Sequence, residues 1–189
     1  MTEYDFALRF DISAVECTPE ECVEKLAAAG CDDAIVGIGI PGRIGLDFIR
    51  EADTVEGAVL TAVRDVLNAL PNARLIEAAP DFVGYTDVAE LVGRSRQNIR
   101  KLLLSTKRPG PIPVHEGTSA VWHLSPVLRW LRDERSYTIR QDLIELADLT
   151  MSVNVAATQV NFSPLQDARI IEILDGSARY GTEHRRAHA

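Results

Sequence analysis

Between Thr86 and Leu104 the chain runs TDVAELVGRSRQNIRKLLL, two short amphipathic segments separated by a glycine. Thr86 suits an N-cap, and Val88, Ala89, Leu91 and Val92 supply an apolar face for about two turns before Gly93. Ser95 is a second cap. It predicts a helix over 95–104 with Ile99, Leu102 and Leu103 facing inward. The other face carries Arg96, Gln97, Arg100 and Lys101, with Asn98 near its edge. Two short helices joined by a tight glycine turn form a helix-turn-helix arrangement. In that arrangement the second helix enters the major groove of DNA and brings its N-terminal residues to the base edges. The residue types suit the task. Arginine donates two hydrogen bonds to guanine O6 and N7, and asparagine or glutamine pairs with adenine N6 and N7. Arg96, Gln97, Asn98 and Arg100 are therefore candidate base readers. A solvated amphipathic helix would share some of these features. The coincidence of caps, glycine turn and an acid-free basic face favours DNA.

On the C-terminal side, Lys107-Arg108-Pro109-Gly110-Pro111 reads as a rigid basic connector. Ile112–Val114 and Ala120–Leu124 read as short strands around a turn at 115–119, a hairpin or wing. Ser125-Pro126 then caps a helix over Val127–Leu131, with Trp122 and Trp130 as core anchors. His123 and His115 read as surface or half-buried residues rather than ligands, and His115 at the wing tip could meet a phosphate. Taken together, residues 82–132 resemble the winged helix-turn-helix of MerR-like and excisionase-like DNA-binding proteins. The resemblance implies that Arg96, Gln97 and Arg100 read bases. It implies that Lys101, Lys107 and Arg108 contact the DNA backbone and that Ser95 donates from the helix start. Proteins of the MerR type usually begin with this domain, whereas here an acidic segment precedes it.

Charge along the chain follows the same division. The 189 residues carry a net charge of −8, which as an average opposes nucleic acid and anionic membranes. Residues 1–80 hold 6 Lys/Arg against 15 Asp/Glu, residues 81–135 hold 9 against 6, and residues 136–189 hold 5 against 7. From Arg94 to Arg108 there are six cations (Arg94, Arg96, Arg100, Lys101, Lys107, Arg108) and no acid. Local fields of this kind govern contact with a polyanion more than net charge does. If about six cations meet phosphates, log K should fall with log salt at a slope near −5.

The acidic part reads as β-α-β-β-α-β. Phe6, Leu8, Phe10 and Ile12 alternate in a first strand. Thr18, Pro19 and Glu21 predict a capping box opening a helix that ends near Gly30. Ala34–Ile40 and Ile44–Arg50 are the next strands, with Pro41-Gly42-Arg43 between them. Thr54 caps a long helix with Val55, Ala58, Val59, Ala62, Val63, Val66 and Leu70 on one stripe, and Arg74–Ala78 is a fourth strand. This order is the ferredoxin-like pattern. Gly37-Ile38-Gly39-Ile40-Pro41-Gly42 has the spelling G-x-G-x-x-G. A dinucleotide site needs a helix to begin there, but an alternating strand follows, so no nucleotide is expected. Asp11, Glu16, Asp32 and Asp33 read as a solvated acidic face, with docking of a basic partner as the alternative.

Ser136–Asn161 predicts a long amphipathic helix with Ile139, Leu143, Leu146, Ala147 and Met151 or Val153 on its stripe, packed on its own domains or on a second copy. A short helix over Leu165–Leu174 and a mobile tail carrying His184 and His188 complete the chain. The expected organisation is an α+β protein. It has an acidic domain over 1–79, a winged helix-turn-helix over 80–135, a helical segment over 136–175 and a tail over 176–189.

Apolar residues make up 46% and charged residues 25%, ordinary globular values that exclude collagen, coiled-coil and wholly disordered chains. No apolar run approaches the ~20 residues that cross a bilayer. The start, MTEYDFALRFD, lacks a signal peptide's basic and apolar regions, so a cytoplasmic protein is expected. Cys17, Cys22 and Cys31 are odd in number, without C-x-x-C or a nearby histidine, and are expected to be reduced thiols rather than zinc ligands. No nucleophile, metal set or general acid–base pair can be assembled, so neither catalysis nor a cofactor is expected. The function expected is a sequence-specific DNA-binding regulator of bacterial or phage type, repressor-like or antitoxin-like. It would be a homodimer joined through free edge strands, with the acidic domain open to a protein partner. The alternative is a protein-interaction or ligand-sensing module that uses the helix-turn-helix only as a scaffold.

Overall fold

Alternation in the first dozen residues builds the strand that organises the sheet. In β1 (Thr2–Asp11), Tyr4, Phe6, Leu8 and Phe10 are buried. The computed structural model describes residues 1–162 together with 169, 170, 173 and 174. β1 pairs antiparallel with β3 (Arg43–Ala52) from Thr2↔Ala52 to Asp11↔Arg43, and with β4 (Arg74–Ala79) on its other side. The short β2 (Ala34–Gly37) lies outside β3, giving an antiparallel sheet in the order β2-β3-β1-β4. The strand expected over Ala34–Ile40 thus stops at Gly37. Its last partner is Gly45, and residues 38–42 turn back, with Gly42 at φ +74°. The glycine-rich stretch leads into β3 rather than into a helix.

Two helices cover one face of this sheet. α1 (Pro19–Ala28) opens on the expected capping box: Thr18 Oγ1 accepts from Glu21 N and the Glu21 carboxylate accepts from Thr18 N. α2 (Val55–Ala69) opens on Thr54, whose hydroxyl accepts from Gly57 N, and buries Val55, Ala58, Val59, Ala62 and Val66. The expectation of three thiols fails at Cys17 and Cys22, which form a disulfide. They occupy the position before the cap and the fourth position of α1, where a hydrophobic staple normally meets. The capping box therefore brings the two sulfurs together. A count of cysteines does not see this. Cys31 remains a buried thiol, and burial pushes its pKa up to about 11.

Arg50 continues the inward phase of β3 past Ile44, Leu46 and Phe48. Its guanidinium is bidentate on Asp33 (2.7 and 3.0 Å). It also donates to Asp65 (2.9 Å), Thr61 (3.1 Å) and the Gly30 carbonyl (2.8 Å), and lies over the Phe48 ring. Asp33 is therefore not part of a solvated face: an arginine on a buried strand face has to be matched by carboxylates. Asp11 likewise pairs with Arg74 at 3.3 Å and accepts from Ser13 N.

The second core is built from β5 (Phe82–Val83), α3 (Tyr85–Leu91), α4 (Arg96–Leu103), β6 (Trp122–His123) and α5 (Leu124–Arg135). Three details differ from expectation. α3 is capped at Gly84 rather than Thr86, because the Asp87 carboxylate reaches back to Gly84 N (2.7 Å) while Tyr85 packs its ring edge against Trp122. Ile112–Val114 is not a strand. Prolines at 109, 111 and 113 remove alternate N–H donors, and only a single bridge, His115↔Val121, closes the loop. Trp122 and His123 pair instead with Val83 and Phe82. α5 begins at Leu124, and Ser125 is not its cap but is buried with its hydroxyl on the Asp148 carboxylate.

α6 (Gln141–Phe162) starts later than expected, after Ser136 ends α5 at φ +56°. It packs on the chain itself: Ile144 and Ala147 join the second core and Leu146 the first. Residues Met1–Thr158 form one compact unit holding both cores. Of the helix expected over Leu165–Leu174, residues 169, 170, 173 and 174 are described and helical. The tail with His184 and His188 lies outside the described residues. Among the described residues no helix is long and apolar enough to cross a membrane.

A polar knot joins α6 to the strand leading out of the sheet. Asn154 donates to Ala78 O (2.8 Å) and accepts from Ala78 N (2.7 Å), closing the outer edge of β4 as a neighbouring strand would. Its amide also donates to Asp81 Oδ2 (2.8 Å). Asp81 Oδ1 meets His123 Nδ1 (2.7 Å), and Thr150 donates to Pro80 O (2.7 Å).

Candidate nucleic-acid interface

The second core fixes which face of α4 looks outward. Ile99 and Leu103 are buried together with Val88 and Ala89 of α3 and with Trp122, Leu124 and Leu128. An amphipathic helix held on that side exposes the opposite one. Gly93 makes the turn between α3 and α4 at φ +62°, a backbone region that side chains rarely adopt. A Cβ there would meet nothing within 4 Å, so conformation rather than crowding requires the glycine. The next residue, Arg94, donates its N–H to Ala89 O, and Ser95 Oγ accepts from Asn98 N at 3.2 Å. The cap uses the third amide of α4 and leaves the first two, of Arg96 and Gln97, at the positive end of the helix.

Ser95, Arg96, Gln97, Asn98, Arg100, Lys101, Lys107 and Arg108 are all exposed. Among the described residues, the side chains of Arg96, Gln97, Asn98, Arg100, Lys101 and Lys107 make no hydrogen bond or ion pair. Two members of the basic stretch are engaged. Arg94 lies over the Tyr137 ring at 5.9 Å, and Arg108 donates to Glu134 O at 3.0 Å. The structure thus divides the cations into a free set on and after α4 and a tethered pair beside α5.

Sequence reasoning missed two contributors. Arg135, at the end of α5, donates to Leu102 O (3.3 Å) and Arg108 O (2.8 Å) and lies over the Trp130 ring, so it pins both the end of α4 and the connector. A basic residue in the last turn of a helix is a weak signal, and nothing in the sequence aims it at α4. Tyr85 is the second. With Arg96, Gln97, Arg100, Gly117, Thr118 and Ala120 it lines a cleft of about 430 Å³ between α4 and loop 115–121. The loop expected to be a wing thus stands beside the readers. The His115 imidazole lies over Gly117, where a Cβ would be 2.7 Å from Nε2. His123, by contrast, is half-buried and held by Asp81.

Chemically, the surface offers planar donors, two carboxamides and a helix start, free of acids along α4. That is a set for binding acceptors. Among the described residues no group of three or more His, Cys, Asp or Glu is placed to hold a metal ion. Comparison with protein-family models, curated proteins and solved structures finds no match to this chain.

Proposed function

We propose that this chain is a sequence-specific double-stranded DNA-binding protein that acts as a transcriptional regulator. In this reading residues 82–132 are a winged helix-turn-helix of the MerR-like and excisionase-like kind. The domain ahead of them is ferredoxin-like, a reading supported by its β-α-β-β-α-β order and the strand order β2-β3-β1-β4. The observation that carries the reading is the exposed, unpartnered row Arg96, Gln97, Asn98 and Arg100 on the first turns of a helix whose other face is anchored in the core. Arg96, Gln97 and Arg100 face base edges. Lys101, Lys107 and Ser95 meet phosphates, and the cleft beside loop 115–121 receives the adjacent backbone. Arg108, shared with the end of α5, contributes less than a free cation.

The test is selection of bound sequences from a random duplex pool, followed by titration of the selected site. The expected result is a defined motif whose binding is lost in the pair Arg96→Glu with Arg100→Glu while the circular dichroism spectrum is unchanged. A parent protein that enriches no sequence and retains no DNA would support the scaffold reading instead.

A further inference from the structure

The two outer edges of the sheet are treated differently. Asn154 takes up the outward backbone N–H and C=O of β4 at Ala78, so that edge is blocked at this position. β2 has β3 on one side and, among the described residues, no strand on the other. Soluble proteins normally guard such an edge with charge, proline or a covering element. Residues 34–40 carry no charge and no proline, in a segment where residues 1–80 have a net charge of −9. Ile35 is 74% exposed in the middle of β2, and Ile49, diagonal to it on β3, is 59% exposed on the same sheet face.

We propose that β2 pairs antiparallel with β2 of a second copy, across a two-fold axis centred on Ile35. The phase of the ladder sets the register. Ile49 N donates to Asp33 O, so Asp33, Ile35 and Gly37 turn their amides toward β3, and Ala34 and Val36 turn theirs outward. Centring on Ile35 places Ala34 opposite Val36 of the second copy, and Val36 opposite its Ala34. Each pair exchanges two bonds, four in all. Ile35 then faces its own counterpart at a non-hydrogen-bonded position, where side chains approach most closely. The strand is self-complementary in this register, and its neutral edge lets two acidic chains meet without burying like charges. Two four-stranded sheets become one of eight. This does not depend on the DNA-binding reading.

Sedimentation of the full chain over a concentration series tests it, with Ile35→Lys and Ile35→Cys as variants. Ile35 points to solvent, so neither substitution disturbs the core. The expected result is a parent dimer, strengthened by added salt because two chains of charge −8 repel. Ile35→Lys should halve the mass, and Ile35→Cys should cross-link on mild oxidation. Opposed Cα atoms at such a position are about 4.5 Å apart, within disulfide range. The native cysteines do not interfere, since two are bridged and the third is buried. A monomeric parent, a dimer indifferent to Ile35→Lys, or cross-linking by Gly37→Cys in place of Ile35→Cys would overturn it. So would mass recovered only on adding a basic peptide. DNA binding is read separately: it falls with salt, and loss of DNA binding with the dimer intact sinks only the functional reading.

Discussion

Replacing Asn154 by leucine should weaken the protein by about 2–8 kcal/mol, because three buried polar groups lose a partner at once and each costs roughly 1–3 kcal/mol. The groups are Ala78 N–H, Ala78 C=O and Asp81 Oδ2. Leucine has a similar volume and gains apolar burial on a site that is 3% exposed, which offsets roughly 1 kcal/mol of the total. Against a typical stability of ~5–15 kcal/mol, a substantial share is at stake. The assay is urea denaturation followed by two probes. Both tryptophans, Trp122 and Trp130, belong to the second core, so their fluorescence follows that core alone, whereas far-ultraviolet circular dichroism follows both. In the parent the two curves should coincide, because α6 contributes side chains to both cores and Asn154 locks it to β4. In Asn154→Leu they should separate. Val155→Ala, on the exposed side of the same helix, should change stability by less than about 0.5 kcal/mol. A loss below about 1 kcal/mol for Asn154→Leu, with coincident curves, would refute the idea that this amide closes the β4 edge and couples the cores.

Other perturbations test the remaining parts. Arg50→Ala leaves Asp33 and Asp65 facing each other without their cation and should destabilise by about 2–4 kcal/mol. Arg50→Lys should recover only part of that, since an ammonium cannot reproduce the bidentate bond to Asp33; thermal melts of the three proteins decide it. Cys31 should react slowly with a thiol reagent in the native state and as one thiol per chain in denaturant, the disulfide accounting for the other two. Its pKa is near 9.0 ordinarily and about 11 when buried, so the unfolded chain ionises first. Its contribution to stability is whole below pH 9 and is lost as pH rises toward 11, which denaturation at stepped pH would show. Arg96→Ala should cost about 1–3 kcal/mol of affinity for the selected site and relax preference at one base pair. Lys107→Ala should weaken all sequences alike and reduce the salt slope by about 1. Equal effects of the two on specificity would contradict the assigned roles.

The elements of the first eighty residues were legible because each rests on local rules. Alternation marks β1 and β3, Thr18 and Thr54 mark the helix starts, and a helical stripe marks α2. The helix carrying the candidate readers was legible for the same reason: Ser95 caps it and its two faces differ in kind. What escaped depends on partners distant in sequence. Arg50 lies on an inward phase, but nothing nearby in the chain reveals the carboxylates that allow it there. Ser125 and Asp148 meet across 23 residues, and Asn154 and Ala78 across 76. The wing strand is missing because Pro109, Pro111 and Pro113 remove donors that a ladder needs, an effect that the apolar residues Ile112 and Val114 do not reveal. The β3 and β6 partners of neighbouring segments are also tertiary choices: Trp122 pairs with Val83, not with the loop it follows.

The pattern of charge pairing tells more than the net charge. Arg9, Arg50, Arg74, Arg129, Arg132 and Arg140 each have an aspartate partner. All but that of Arg50, which is buried, are surface pairs that contribute little stability singly, yet every one leaves its cation already neutralised. Lys25, Arg43 and Arg64 have no ion pair among the described residues, but they are scattered singly along the chain. Around α4 the situation is different in kind. Arg96, Arg100 and Lys101 occupy one exposed face, Lys107 follows, and none has a carboxylate within 4.0 Å among the described residues, although acids outnumber bases in the chain by 28 to 20. A folded chain with surplus acid that leaves one helix face unneutralised keeps that face available to an external anion. The proposed reading of α4 as a DNA-reading helix rests on that availability.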